Sequence, residues 1–210
     1  MELKTYQRQV IADLNRYLEL LDETKDYIAS FRLFWQEKGA PTLGIYQDVL
    51  PGVPNLCFKV PTGGGKTFLA CNSVRPVFDA LPFTKTKAVV WLVPSDAILT
   101  QTVKALKDPR HPYRQKIDVD FGGRVEVYTK QELLNGQNFN PTSVTEQLSI
   151  MVLSYDSFRG RGKEGLKKCR RMWSISRTIS PTAHTVRLTR TQRWSICRWV
   201  RSSLNGWCRS

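Results

Sequence analysis

The sequence predicts a doubly wound α/β domain, a parallel sheet flanked by helices, followed by a basic irregular tail. Three observations carry that expectation. Helix-like and strand-like apolar patterns alternate through residues 1–166, the strand-like runs are short and continuously apolar, and a glycine-rich turn stands between one such run and a helix. In sheets of this kind ligands sit at the carboxyl ends of the strands.

The elements follow in order. Tyr6, Val10, Leu14, Tyr17, Leu18, Leu21, Tyr27, Ile28, Phe31 and Trp35 recur at spacings near three and four, which predicts one or two amphipathic helices over 5–38. Gly39, Pro41 and Gly44 break that pattern. Leu56 to Val60 suits a buried strand, Lys66 to Asp79 a helix packed on it, and Ala88 to Val93 a second strand buried on both faces. Ser95 or Asp96 is placed to cap a helix through about Leu106. Residues 107–123 read as a polar, partly irregular connection. Val125 to Tyr128 is a short strand, Thr129 with Glu132 forms a capping box opening a short helix, and Ile150 to Leu153 is one more strand.

Composition bounds the rest. A chain of 210 residues with 41% hydrophobic content buries one domain, with too little length for a second. The N-terminus lacks the basic start and apolar run of a signal peptide, and no apolar stretch is long enough to span a bilayer. The five cysteines form no CxxC pair, so reduced thiols in a cytoplasmic setting are expected. Of the net charge of +14, most lies in residues 167–210, which hold 11 Lys and Arg and no acidic residue. That stretch also holds four of the six tryptophans and shows no helical or strand period. Two readings of it stand. Arg and Trp serve a basic nucleic-acid-binding tail through phosphate contacts and stacking. Alternatively the stretch is disordered or the translation of a shifted reading frame, which the complete exclusion of Asp and Glu favours.

The turn carries the chemistry. In the run Pro61, Thr62, Gly63, Gly64, Gly65, Lys66, Thr67, small residues let backbone N–H groups converge on phosphate oxygens. The helix that follows presents its positive end to the same anion. Lys66 is placed to reach the β and γ phosphates of ATP, and the Thr67 hydroxyl to ligate Mg2+. Val60 stands where the generic phosphate-loop pattern has glycine.

PTGGGKT after a strand resembles motif I of superfamily 2 helicases and translocases. TYQRQVIADL resembles the element that in many of these proteins precedes the phosphate loop, and the likeness implies adenine contact by Gln7. VVWLVPSDAILTQT resembles motif Ia, with Pro94 and Ser95 near the nucleic-acid backbone, and its wording is close to that of type III restriction enzyme Res subunits. SIMVLSYDSFRGRGKEG resembles a segment of the same subunits, with Arg159 and Arg161 as weak candidates for phosphate contact. Bland readings stay open: Tyr6 as a core-facing helix residue with Gln7 its solvated neighbour, Ser95 as a cap alone, and the arginines as ordinary loop charges.

The resemblance covers about residues 1–166. It implies an incomplete RecA-like P-loop NTPase domain that in the intact family couples ATP hydrolysis to double-stranded DNA, with a DNA methyltransferase (modification) subunit as partner. It also implies an Asp-Glu pair after motif Ia, yet the only Asp-Glu dipeptide is Asp22–Glu23, upstream of the turn. The second RecA-like domain and a nuclease domain are not found either. The expectation is a domain truncated before motif II and inactive alone, with a non-enzymatic basic nucleic-acid binder acting through residues 167–210 as the alternative.

Overall fold

The computed structural model describes residues 1–48, 54–80, 86–135, 144–155, 184–188 and 194–198. Six α-helices are described, α1 (Thr5–Thr24), α2 (Tyr27–Glu37), α3 (Lys66–Asp79), α4 (Asp96–Lys107), α5 (Pro112–Phe121) and α6 (Lys130–Asn135). The strands are β1 (Ala88–Val93), β2 (Val125–Thr129), β3 (Leu148–Ser154), β4 (His184–Leu188) and β5 (Trp194–Arg198).

Strand order is β2-β3-β1-β4-β5. β3 pairs in parallel with β1 on one side and with β2 on the other, which places β3 between strands that precede it in sequence. Register is fixed by residue pairs such as Val89 with Ile150 and Val127 with Ile150. β4 joins the other edge of β1 in parallel, and β5 pairs antiparallel with β4. The expectation of a parallel sheet flanked by helices is met. β4 and β5 lie in the basic stretch, where the sequence shows no strand period.

Both faces of the sheet are covered at β1 and β3, and the side chains of β1 divide by the strand period of two. Val89, Trp91 and Val93 join a cluster with Leu14 and Tyr17 of α1, Ala70, Cys71 and Val74 of α3, Leu106 of α4 and Ile117 of α5. Ala88 and Leu92 join the opposite cluster with Leu133 of α6, Val144, Met151 and Leu153. This division explains why the run AVVWLV has no polar member: five of its residues are buried and Val90 is half-buried against the second cluster.

α1 and α2 form an antiparallel-type pair whose turn is set by Asp26. Its carboxylate accepts from the N–H groups of Ile28 and Ala29 at 2.8 and 3.1 Å, capping α2. Arg16 of α1 makes a forked pair with Glu37 of α2 at 2.8 and 2.6 Å, and that contact, followed by one to Glu19, holds the guanidinium above its ordinary pKa. The same bond holds the Glu37 carboxyl below the usual carboxylate range.

Two expectations are corrected. Residues 112–121 lie in the stretch read as an irregular connection and form α5. Pro112 occupies its first turn, the His111 ring accepts from the Tyr113 N–H at 3.2 Å, and Gly122 ends it at φ 62°. Its apolar face is narrow, with Tyr113, Ile117 and Phe121 at intervals of four, so it reads as polar in sequence. Arg114 secures it, donating to the Asp118 carboxylate and to the carbonyls of Leu106 and Val125 at 3.2 and 2.8 Å.

The second correction is Leu56 to Val60, expected as a strand. The segment alternates as a strand should, with Leu56 and Val60 buried and Cys57 and Lys59 exposed, yet it is not a member of the sheet. A strand needs a ladder partner, and both edges of β1 are taken by β3 and β4. The segment packs its apolar side on the core and is not one of the strands of the described sheet.

Candidate functional site

The glycine-rich turn closes through a bond from the Gly64 N–H to the Pro61 carbonyl at 3.0 Å. Gly63 and Gly65 hold φ of 76° and 68°, the left-handed region that side chains disfavour, which is why the turn reverses within so few residues. Gly65 is also the N-cap of α3 and has no side chain to satisfy the first-turn amides. Those N–H groups have no acceptor within the helix, and the helix dipole adds to their positive potential.

The turn rests against the start of α1. The Tyr6 hydroxyl donates to the Gly64 carbonyl at 2.8 Å, and the Gln7 amide nitrogen donates to the same oxygen at 3.1 Å. The other end of the Gln7 amide accepts from the Lys4 N–H at 2.9 Å. A carbonyl only accepts and a backbone N–H only donates, so the two partners fix which way the amide lies. Gln7 is 3% exposed, a buried polar residue with both ends bonded. Its amide nitrogen would lie 2.6 Å from a Cβ at Gly65, so only glycine allows this approach.

Lys66 opens α3 and turns back on the loop. Its ammonium donates to the Pro61 carbonyl at 2.9 Å and to the Val60 carbonyl at 3.4 Å. These are neutral acceptors. The ammonium is charged in either case, and an anionic polyphosphate adds a charge–charge attraction that a neutral carbonyl lacks, so it can displace them. The donor set thus fits a polyphosphate: glycines that leave room, uncapped first-turn amides, and one ammonium held by weak partners. For Mg2+ the chain offers the Thr67 hydroxyl on the first turn of α3, with phosphate oxygens and water completing such a shell. Among the described residues no cluster of three His, Cys, Asp or Glu is placed to hold a metal.

Other expected residues fall elsewhere. Pro94 and Ser95 follow directly on β1, at the carboxyl end of the sheet, and Ser95 is the N-cap of α4, accepting from the Ile98 N–H at 3.5 Å. Arg159 and Arg161 lie outside the described residues. Asp22 and Glu23 sit in the last turn of α1, at the opposite end of that helix from Tyr6 and Gln7. Cys71 in α3 is buried, and burial pushes its thiol well above the ordinary cysteine value, which makes it unreactive. The residue that sequence reasoning left without a role at the turn is Tyr6. Its adjacency to Gln7 was visible, but its hydroxyl contact spans 58 positions.

The model of the family described as type III restriction enzyme, res subunit, matches residues 1–171. The chain belongs to that family. The match covers every helix described above and the strands β1 to β3, so the three-stranded parallel sheet with its helices is part of a P-loop, helicase-like ATPase domain of the Res family. No curated protein and no solved structure matches the chain. Among the described residues, no helix is long and apolar enough to cross a membrane.

Proposed function

We propose that this Res-family chain binds ATP with Mg2+ through Thr62, Gly63, Gly64, Gly65, Lys66 and Thr67. The observation that carries the reading is the resting state of the loop: an uncapped helix start beside a lysine whose partners are two carbonyls. An anion entering there gains amide donors and a cation that pairs with no carboxylate among the described residues. Thr67 supplies the hydroxyl for the metal.

The carboxyl edge of the sheet, at Pro94 and Ser95, is the side we assign to double-stranded DNA, with Arg159 and Arg161 as further phosphate contacts. In the Res family ATP hydrolysis is coupled to DNA and a methyltransferase subunit is the partner, and we extend both to this protein in a cytoplasmic setting. Turnover needs a carboxylate pair to hold the metal and orient water, together with an arginine against the γ phosphate. Within these 210 residues the one Asp-Glu pair is at the end of α1, so we assign residues 1–210 nucleotide binding without hydrolysis.

The test is titration of the 210-residue protein with MgATP by calorimetry, alongside Lys66→Ala. Loss of a charged hydrogen-bonding group predicts an affinity lower by about 10- to 100-fold. Equal binding by the variant, or Lys66-dependent ATP turnover by the wild-type chain, would refute the reading.

A further inference from the structure

Resting on the polyphosphate site just proposed, we propose that Tyr113 is a positioning residue for the first turn of α3, and that its N-cap, His111, makes the affinity for polyphosphate fall when the ring takes up a proton. α3 and α5 lie side by side and run the same way. Phe68 stacks on Tyr113 near their starts, with ring centroids 6.0 Å apart and planes at 26°, and Phe78 meets Phe121 near their ends at 5.8 Å. The start of α5 therefore stands beside the start of α3, where the phosphate loop ends and the uncapped amides lie. Phe68 follows Thr67 directly and is 2% exposed, so its ring is a fixed point in that first turn. Burial, and then the Cys71 thiol of α3, push the Tyr113 phenol above its ordinary value, in keeping with a ring set against that helix.

What holds Tyr113 is an imidazole that must accept. His111 precedes Pro112 in extended backbone, its Nδ1 accepts from the Tyr113 N–H at 3.2 Å, and the two rings meet edge to face with centroids 4.4 Å apart. An imidazolium donates from both nitrogens and accepts at neither, so a proton on Nδ1 ends the cap and sets a positive charge at the positive end of a helix. Of the groups around it that carry or take up charge, Asp108 gives one oxygen to the Arg110 N–H at 2.9 Å, and Arg114 of α5 holds Asp118. On α4 Lys104 is a cation and Lys107 holds Glu132, on α3 Lys66 holds the loop carbonyls and Cys71 is buried, and on β2 Glu126 is exposed. Among the described residues no carboxylate pairs with the imidazole. Arg114 keeps the body of α5 in place through the carbonyls of Leu106 and Val125, so loss of the cap loosens the first turn alone. Tyr113 then leaves Phe68, and the first turn of α3 loses the ring that steadies it.

The experiment titrates the 210-residue protein with magnesium tripolyphosphate by calorimetry from about pH 8 to about pH 5, the interval in which histidine changes charge, alongside His111→Asn, Tyr113→Leu and the double variant. Tripolyphosphate itself takes up protons in this interval, so the readout is the fall in the wild-type protein relative to that in His111→Asn, whose amide oxygen caps the helix throughout. His184 is common to every variant and drops out of the comparison. The wild-type affinity is expected to fall by about 2- to 10-fold more than that of His111→Asn, within what one N-cap is worth. Tyr113→Leu is expected to bind about 2- to 10-fold more weakly at the upper end of the interval, the worth of one aromatic pair. In its background His111→Asn is expected to leave the pH profile unchanged, because the ring that carries the effect is gone. A cap that served the fold alone would give the same profile with and without His111 in folded protein. Parallel profiles in the wild type and His111→Asn, or a difference that persists in the Tyr113→Leu background, would overturn the inference. Should Tyr113→Leu fail to fold, the comparison with His111→Asn decides alone, since asparagine is itself a preferred N-cap. Failure of the polyphosphate site itself is distinguishable, because it appears as absent tripolyphosphate binding by the wild-type protein at the upper end of the interval.

Discussion

Replacing the three glycines of the turn one at a time separates backbone strain from steric overlap. Gly63 has φ of 76° but no heavy atom within 4 Å of an added Cβ, so Gly63→Ala bears only the left-handed penalty, about 1–2 kcal/mol. Gly64 has no such φ, yet its Cβ would meet Val60 Cγ1 at 2.7 Å and the Pro61 carbonyl oxygen at 2.9 Å. That oxygen already accepts from Gly64 and Lys66, so it cannot retreat without breaking those bonds, and overpacking predicts a loss of about 1–3 kcal/mol. Gly65 combines φ of 68° with a Cβ 2.6 Å from the Gln7 amide, which predicts roughly 2–5 kcal/mol. Urea unfolding with linear extrapolation measures each value. In a Gln7→Ala background, Gly65→Ala is expected to fall back to the strain alone, about 1–2 kcal/mol, because the overlapping atom is gone. A Gly65→Ala protein no less stable than Gly63→Ala, or an unrelieved loss in the Gln7→Ala background, would refute the close approach of α1 to the loop.

Three further outcomes follow from the packing. Asp26→Ala, which removes two bonds of 2.8 and 3.1 Å, is expected to cost about 1–2 kcal/mol, whereas Ser95→Ala removes one bond of 3.5 Å and is expected to cost about 0.5 kcal/mol, both read by chemical denaturation. Ile117→Ala, at a residue 0% exposed where α5 meets the sheet, is expected to cost about 2–5 kcal/mol; a loss below 1 kcal/mol would mean that α5 does not dock there. Burial raises the Glu132 carboxyl pKa, but the bond from Lys107 and those from the Thr129 N–H and hydroxyl more than offset it, leaving the group below its ordinary 4.5. A depressed carboxyl stabilises the fold above its unfolded pKa, and that contribution is lost as pH falls through the folded value. Acid unfolding below pH 4.5 is therefore expected to be shallower in Glu132→Gln, measured as the unfolding midpoint against pH.

What the sequence reveals of the fold divides along physical lines. α3 and β1 fall on the residues expected, Lys66–Asp79 and Ala88–Val93, because each is bounded by local chemistry: Gly65 before α3, Pro94 and Ser95 after β1. The box of Thr129 and Glu132 is equally local, with bonds of 2.6 and 3.4 Å across three residues. α5 is not legible in this way. It is a helix by its proline start and glycine stop, but its stripe of Tyr113, Ile117 and Phe121 is too narrow to register in ten residues of which five are charged or amide side chains. What holds it is tertiary: Phe68 stacks on Tyr113 with ring centroids 6.0 Å apart, and Phe78 meets Phe121 at 5.8 Å. Leu56 to Val60 errs in the opposite sense. Alternation predicts which side chains are buried, and it is right about that, but pairing is a property of the neighbours.

The same distinction applies to the turn. Its composition announces what Gly63 to Thr67 are able to bind, since room, amides and charge are written in consecutive residues. It does not announce what holds the loop in place, because the grip on the Gly64 carbonyl comes from residues 57 and 58 positions away. Nor does it reveal the resting partners of Lys66, which are carbonyls of the loop itself. Those two facts have joint consequences. One oxygen, on Gly64, is fixed from outside by α1, while the lysine is held from inside by Pro61 and Val60, so under the proposed polyphosphate binding the bonds to be exchanged are those of the lysine. A loop organised this way would release one side chain on the proposed binding, exchanging two neutral acceptors for an anionic one at an ammonium that is charged throughout.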